Sequence, residues 1–256
     1  MIAAVVPVRR GEHAPTVVKK LKEQGACVIV VRDRCAVELP GADYVIDKQS
    51  GTGFDAGAAR DIGLDMAVKI GAEQVIMVDE DCIPQPDLVN AHLYALDRGC
   101  PVISCGRRLE SGLGWKDPRQ TGEAFNLHLF DGKGAVVQNN SIVKNCLATW
   151  TCNLGINRAA MDIVYRAMSS FTGEWRIFDK AFDGHWGGED AFLGYVAWAY
   201  RVNMAFLPMG ANAVKHMDHP RPEPEYGKGF KEVLEAQVTK FRKHLAMHPL
   251  SIDDIS

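Results

Sequence analysis

Short apolar runs that end on charged residues, each separated from the next by a helical stretch, constrain this chain more than any other feature. Ile2–Val8 is followed by Arg9 and Arg10, Ala26–Arg32 closes on Asp33, and Val75–Val78 closes on Asp79-Glu80-Asp81. Unbroken apolar runs of this length suit strands buried on both faces. Between them, Pro15–Gln24 fits a helix, with proline in its first turn and Gly25 as its stop. Phe54–Ile70 fits another, with Ala58, Ile62 and Met66 on one face, and Tyr44–Ile46 is a short strand. This alternation predicts an α/β fold with a central, mostly parallel sheet flanked by helices. In such sheets ligands bind beyond the carboxyl ends of the strands. Arg9, Asp33 and Asp79–Asp81 all fall at those ends.

Further along, Leu88–Arg98 is expected as a helix and Pro101–Cys105 as a strand. Arg107–Gly134 is expected as a long loop with one hairpin, the kind of segment that serves as a lid or binding loop. Asn153–Ile156 fits a strand edge, Arg158–Met168 a helix, Glu189–Tyr200 a helix and Asn203–Leu207 a strand. Asn212–His219 is expected as an extended segment, and prolines 220, 222 and 224 close the core. Lys228–Ala246 predicts an amphipathic helix with Phe230, Val233, Leu234, Phe241 and Leu245 inward.

A formal net charge of −3 over 256 residues gives no general attraction to nucleic acid or anionic membrane. No apolar run approaches the ~20 residues that span a bilayer, and Ile2–Val8, followed by two arginines, does not fit a signal peptide. Seven cysteines without Cys-x-x-Cys spacing fit free thiols in a reducing compartment, the cytoplasm by default.

Chemistry concentrates in two acidic segments. Asp79-Glu80-Asp81 ends a strand, and Pro84 and Pro86 are expected to stop it there. Adjacent carboxylates suit a hard divalent ion, Mn²⁺ or Mg²⁺, although a solvated acidic turn has the same composition. Glu189-Asp190 follows Gly187-Gly188 and Trp186. Acids favour helix N-termini as caps, but an aromatic wall beside open backbone also suits a sugar, whose apolar face stacks on indole. His216 and His219 come late enough in the chain to complete a carboxylate metal site.

In order, the chain carries Pro7-Val8-Arg9, Asp33, Ala58-Ala59-Arg60-Asp61, Asp79-Glu80-Asp81, Asn153, Trp186-Gly187-Gly188-Glu189-Asp190 and His216. This pattern resembles the GT-A glycosyltransferases of the family-2 type, and the Trp-Gly-Gly-Glu-Asp run resembles that of animal galactosyltransferases. The resemblance implies a Rossmann-like GT-A domain over residues 1–225, a nucleotide-sugar-binding half (1–105) before an acceptor half (106–225), with a terminal helix and tail at 226–256. It implies a UDP-sugar donor and Mn²⁺ or Mg²⁺. Donor-binding positions would be Pro7, Val8, Arg9, Asp33, Ala58, Arg60, Asp79, Glu80, Asp81, Asn153, Trp186, Gly187 and Gly188. Within these, Asp33 would meet the base, Arg60 the nucleotide and Asp79 the ribose. Asp81 and His216 would hold the metal, with Asp79 as a possible addition. Asp190 would be the base of an inverting transfer and Glu189 would hold acceptor or sugar. The helix N-terminus is expected to keep Asp190 ionised. Asp61 stands where the family has asparagine, and the second strand lacks its usual paired acids. Three alternatives share these residues: a nucleotidyltransferase, of whose basic glycine-rich loop Arg9-Arg10-Gly11-Glu12-His13 is a faint version; a non-catalytic nucleotide-sugar-binding module; and a transferase acting on a modified nucleic-acid base rather than a glycan. Lysines at 228, 231, 240 and 243, with Arg242, could touch phosphates or form a solvated helix face.

Overall fold

The computed structural model describes residues 1–48, 55–110, 114–116, 136–137, 149–183, 187–207, 213–217 and 230–248. Trp186 and His219 lie outside the described residues, as do Lys228 and most of the expected long loop. The elements are β1 (Ile2–Val8), α1 (Ala14–Glu23), β2 (Cys27–Arg32), β3 (Tyr44–Asp47), α2 (Ala56–Lys69), β4 (Gln74–Met77), β5 (Cys82–Pro84), α3 (Leu88–Leu96) and β6 (Val102–Cys105). They continue with β7 (Arg108–Glu110), β8 (Gly114–Lys116), β9 (Val136–Val137), β10 (Leu154–Asn157), α4 (Arg158–Thr172), α5 (Glu189–Ala199), β11 (Asn203–Phe206), β12 (Val214–His216) and α6 (Phe230–Met247).

An eight-stranded sheet has the order β3-β2-β1-β4-β10-β6-β11-β9. β1, β2, β3 and β4 run parallel, as do β6 and β11, whereas β10 is antiparallel to both neighbours. Along β1 the side chains alternate between two cores. Ala3 and Val5 face the core shared with α2, α4, α5 and α6, while Ala4, Val6 and Val8 face the one built with α1 and α3. Both faces are therefore buried, which is why β1 is apolar without alternation. Helix α2 lies directly on β1: a Cβ added to Gly63 would stand 2.2 Å from Val5 Cγ1.

Two expectations are corrected. Strand β4 ends ahead of the acids as expected, but Pro84 itself lies in a strand. After the acidic triplet the chain re-enters strand as β5, the edge of a second, four-stranded sheet ordered β5-β12-β7-β8. An edge tolerates proline because one side of its backbone needs no partner. The 153–156 tract is not an edge, since β10 pairs with β4 on one side and β6 on the other. Gly155 permits this crowding; a Cβ there would meet Ser104 Oγ at 2.3 Å. The terminal helix is amphipathic as expected, with Phe241 inward. Phe241 is fully buried among Phe171, Phe192, Tyr195 and Tyr200, and Arg242 Nε donates to Tyr195 Oη at 2.9 Å. The expected hairpin is present as β7 and β8. No helix among the described residues is long and apolar enough to cross a membrane.

Candidate active site

β1, β2 and β4 end together. Asp33 N–H donates to Val8 O at 2.7 Å, and Val78 N–H to Val5 O at 3.1 Å. This brings Arg9, Asp33 and the acidic triplet, distant in sequence, to one rim. Each acid of the triplet then has a different partner.

Glu80, expected at the donor, turns instead to the loop after β1. Its Oε1 accepts from the backbone N–H of Arg9 and Arg10, both at 2.9 Å, and its Oε2 from Gly11 at 2.6 Å. Gly11 has φ +78, where only glycine is unstrained. Successive N–H groups at such a turn form an anion nest, and here the protein's own carboxylate fills it.

Asp79 Oδ1 accepts from Arg60 Nη2 at 2.7 Å. Arg60, on α2, is only 4% exposed, and its Nη1 donates to Glu189 Oε1 at 3.0 Å. The guanidinium lies 5.9 Å from the Phe178 ring centroid, and a Cβ on Gly57, one helical turn away, would meet Phe178 Cβ at 3.0 Å. Burial opposes the charge on Arg60, but Asp79 and Glu189 outweigh it and raise its pKa. Expected at the nucleotide, Arg60 thus has both terminal nitrogens on carboxylates, because burial demands charge pairing. Glu189 Oε2 and Arg60 Nε are buried without a hydrogen-bond partner among the described residues. Glu189 also borders a small cleft with Ala56, Gly57, Asp179, Phe182 and Asp183.

Gly187 and Gly188 have φ of +88 and +94, and Gly188 caps α5, so the two acids open the helix as expected. Asp190 Oδ1 accepts from Ala191 N–H at 2.7 Å, and its carbonyl accepts from Thr149 Oγ1 at 2.6 Å. Its ionisation differs from the expectation. Burial and then the Glu189 carboxylate push Asp190 up to about 7, while Arg60 and the Ala191 N–H pull the other way. The helix end is outweighed by desolvation and like charge.

Asp81 comes next to β5, and the register of β12 on β5 sets His216 opposite Cys82. Asp81 Oδ2 is 3.8 Å from His216 Nε2, and Cys82 Sγ donates to Asp81 Oδ1 at 3.3 Å. One potential ligand atom from each of Asp81, Cys82 and His216 lies within 4.8 Å of the others. An oxygen, a sulfur and a nitrogen so close together fit a divalent transition ion. Asp79, held by Arg60, is not part of this group. Cys82 was missed at the sequence level. Its only signal was a thiol directly following the acids, and the assumed strand end at the prolines hid its pairing with β12.

Asp33, buried at the end of β2, ion-pairs with Lys48 at 3.6 Å and Arg34 at 3.7 Å; Lys48 also reaches Asp55 at 2.9 Å. Asp55 caps α2 by accepting from Ala58 N–H at 3.1 Å. Pro7 and Val8 belong to β1, Val8 at 1% exposure. Asn153, expected at the donor, is 1% exposed. Its Oδ1 is 2.8 Å from His92 Nε2, and its Nδ2 donates to Arg107 O at 2.8 Å. It is a joint in the core, and burial holds the His92 imidazole down at about 4, hence neutral. Asp61 accepts from Ile177 and Phe178 N–H and from Arg176, tying α2 to the segment before α5.

No family model matches the chain. Among curated proteins, the hyaluronan synthase of Pasteurella multocida is 26% identical over 193 residues, which is 70% of this chain and 19% of that protein. S. aureus TarS 1-349 in complex with UDP-GlcNAc matches with a TM-score of 0.62 at 15% identity, over 93% of this chain and 66% of that one. GalNAc-T7 with UDP, GalNAc and Mn²⁺ matches at 0.58 and 13% identity, over 96% of this chain and 50% of that one. The chain thus spans about a fifth of the synthase's length. These structural likenesses fit the eight-stranded, mostly parallel sheet and its flanking helices: the chain has the GT-A fold.

Proposed function

We propose that the protein is a metal-dependent, inverting glycosyltransferase that moves a sugar from a nucleotide-sugar, a UDP-sugar by preference, to an acceptor hydroxyl. The observation that carries this reading is the Arg60 bridge. One buried guanidinium ties Asp79 to Glu189, so the two acidic segments belong to one site. The UDP-GlcNAc bound by TarS and the UDP bound by GalNAc-T7 support the choice of nucleotide.

In this reading Asp190 takes the acceptor's proton as the new bond forms. A carboxyl held near 7 combines a large ionised fraction with real basicity, the condition for efficient general-base catalysis. Glu189 Oε2, buried and unpartnered, accepts a hydroxyl of acceptor or sugar. Asp79 orients the ribose while Arg60 holds it. Asp33 and Arg9 line the nucleotide end, and the open backbone at Gly187-Gly188, with Trp186, receives the sugar. Asp81 and His216 would hold a divalent ion, which would supply positive charge to the departing diphosphate. A base on the face opposite the leaving group gives inversion. Six free cysteines among the described residues support a reducing compartment such as the cytoplasm. A nucleotidyltransferase reading is weakened by Glu80, which already occupies the loop N–H groups such an enzyme needs for phosphates.

The test is a donor and acceptor screen by mass spectrometry with Mn²⁺, Mg²⁺, Co²⁺ and Zn²⁺ in turn, reading free nucleoside diphosphate and the product's anomeric configuration by NMR. Transfer with inverted configuration is expected. Binding of UDP-sugars without transfer to any glycan or nucleobase acceptor would leave a binding module instead.

A further inference from the structure

The three groups gathered at the β5–β12 pair of the smaller sheet are an unusual set for a hard ion. Asp81 offers oxygen and His216 nitrogen, but the third is the Cys82 sulfur, all within 4.8 Å. Cys82 is fully buried, on the strand residue that β12 pairs with His216. Its thiol already points at the metal-binding carboxylate, donating to Asp81 Oδ1 at 3.3 Å. The β5–β12 register puts the Cys82 and His216 side chains on the same face of the pair. Oxygen-only sites suit Mg²⁺ and Mn²⁺, whereas thiolate with imidazole suits Zn²⁺ and Co²⁺.

We propose that Cys82 is a metal ligand in this chain, which makes the Asp81–His216 site selective for borderline ions such as Zn²⁺ or Co²⁺ over Mn²⁺ and Mg²⁺. The proposal rests on the metal site of the function given above. As the ion enters, the Cys82 S–H bond breaks, the sulfur lone pair goes to the metal and the proton leaves to solvent. The site then carries two negative protein ligands and one neutral one, and Asp81 loses a hydrogen-bond donor but gains the cation.

Co²⁺ added to the metal-free full chain should give a sulfur-to-cobalt charge-transfer band in the near ultraviolet. The band should vanish in Cys82→Ser and persist in Cys100→Ser, a thiol remote from the site. Bound Mn²⁺ should be displaced from wild type by Zn²⁺, read as a rise in the electron paramagnetic resonance signal of free Mn²⁺, and the Zn²⁺ preference over Mn²⁺ should fall on the order of tenfold or more in Cys82→Ser. Should that variant fail to fold, Zn-edge X-ray absorption on wild type still reads the sulfur directly. Mn²⁺ binding with no sulfur at the ion, or a preference unchanged by Cys82→Ser, overturns the inference and leaves the transferase reading intact. Sulfur-ligated Zn²⁺ in a protein that binds no nucleotide-sugar does the reverse.

Discussion

At the scale of the residue, the proposed roles of Asp190 and Arg60 give the sharpest predictions. General-base assistance is worth about 10² to 10⁴ in rate. Asp190→Asn should therefore lose turnover by that order while UDP binding by calorimetry stays near wild type; a turnover close to normal would return Asp190 to a capping role. Because the base must be ionised and sits near 7, turnover should rise with pH through about 7. Arg60→Gln removes the cation that holds Asp190 down, so the same inflection should move to higher pH. It also leaves Asp79 and Glu189 facing each other without their bridge, which should cost about 3–5 kcal/mol in denaturant unfolding. An inflection that does not move would separate Arg60 from the base. The acids of this site were legible in the sequence because strand ends and a double glycine mark them locally. Their pairings were not. Glu80 turning to the β1 loop and Arg60 filling both its arms depend on which groups burial leaves facing each other across about 70 and 130 positions of chain.

At the scale of the element, long apolar strands announced themselves and short ones did not. β1 and β2 are buried on both faces, so their composition alone identifies them. β5 and β12 have three residues each and are more than a hundred positions apart, too short for any periodicity. Gly63 shows what close element packing demands. Gly63→Ala would push a methyl into Val5 and should destabilise by about 1–3 kcal/mol, read as a lower denaturation midpoint. Terminal helix α6 contributes Phe241 to the ring cluster behind α5, the helix that begins with Glu189 and Asp190. Phe241→Ala should cost about 3–5 kcal/mol and lower turnover as well, whereas Lys243→Ala on the exposed face should change neither. Full activity in a chain cut before α6 would contradict this.

At the scale of the whole molecule, buried acids set the pH response of stability. Asp61 and Asp190 are pushed up to about 7 and Asp183 to about 6, all mainly by burial. The folded chain therefore holds protons that the unfolded chain, with ordinary carboxyls, releases. Stability should fall as pH rises from about 5 through 7 and level off above it. His92, held down at about 4, and His244, also lowered by burial, work the other way below 6.5, but two imidazoles oppose three carboxyls. Thermal melts across this range check the sign, and a midpoint that climbs steadily toward pH 8 would refute it. The two sheets meet at the acidic triplet, where the chain leaves β4 and enters β5. There, His216 stands opposite Cys82 in an antiparallel pair only three residues long. A slip of one residue would bring Lys215 or Met217 opposite Cys82 instead, a cation or a thioether where an imidazole is needed. In the proposed metal site the ligand set thus doubles as a register check within the smaller sheet: a chain that pairs β5 and β12 out of step folds most of its main core correctly and yet loses one of the three ligands.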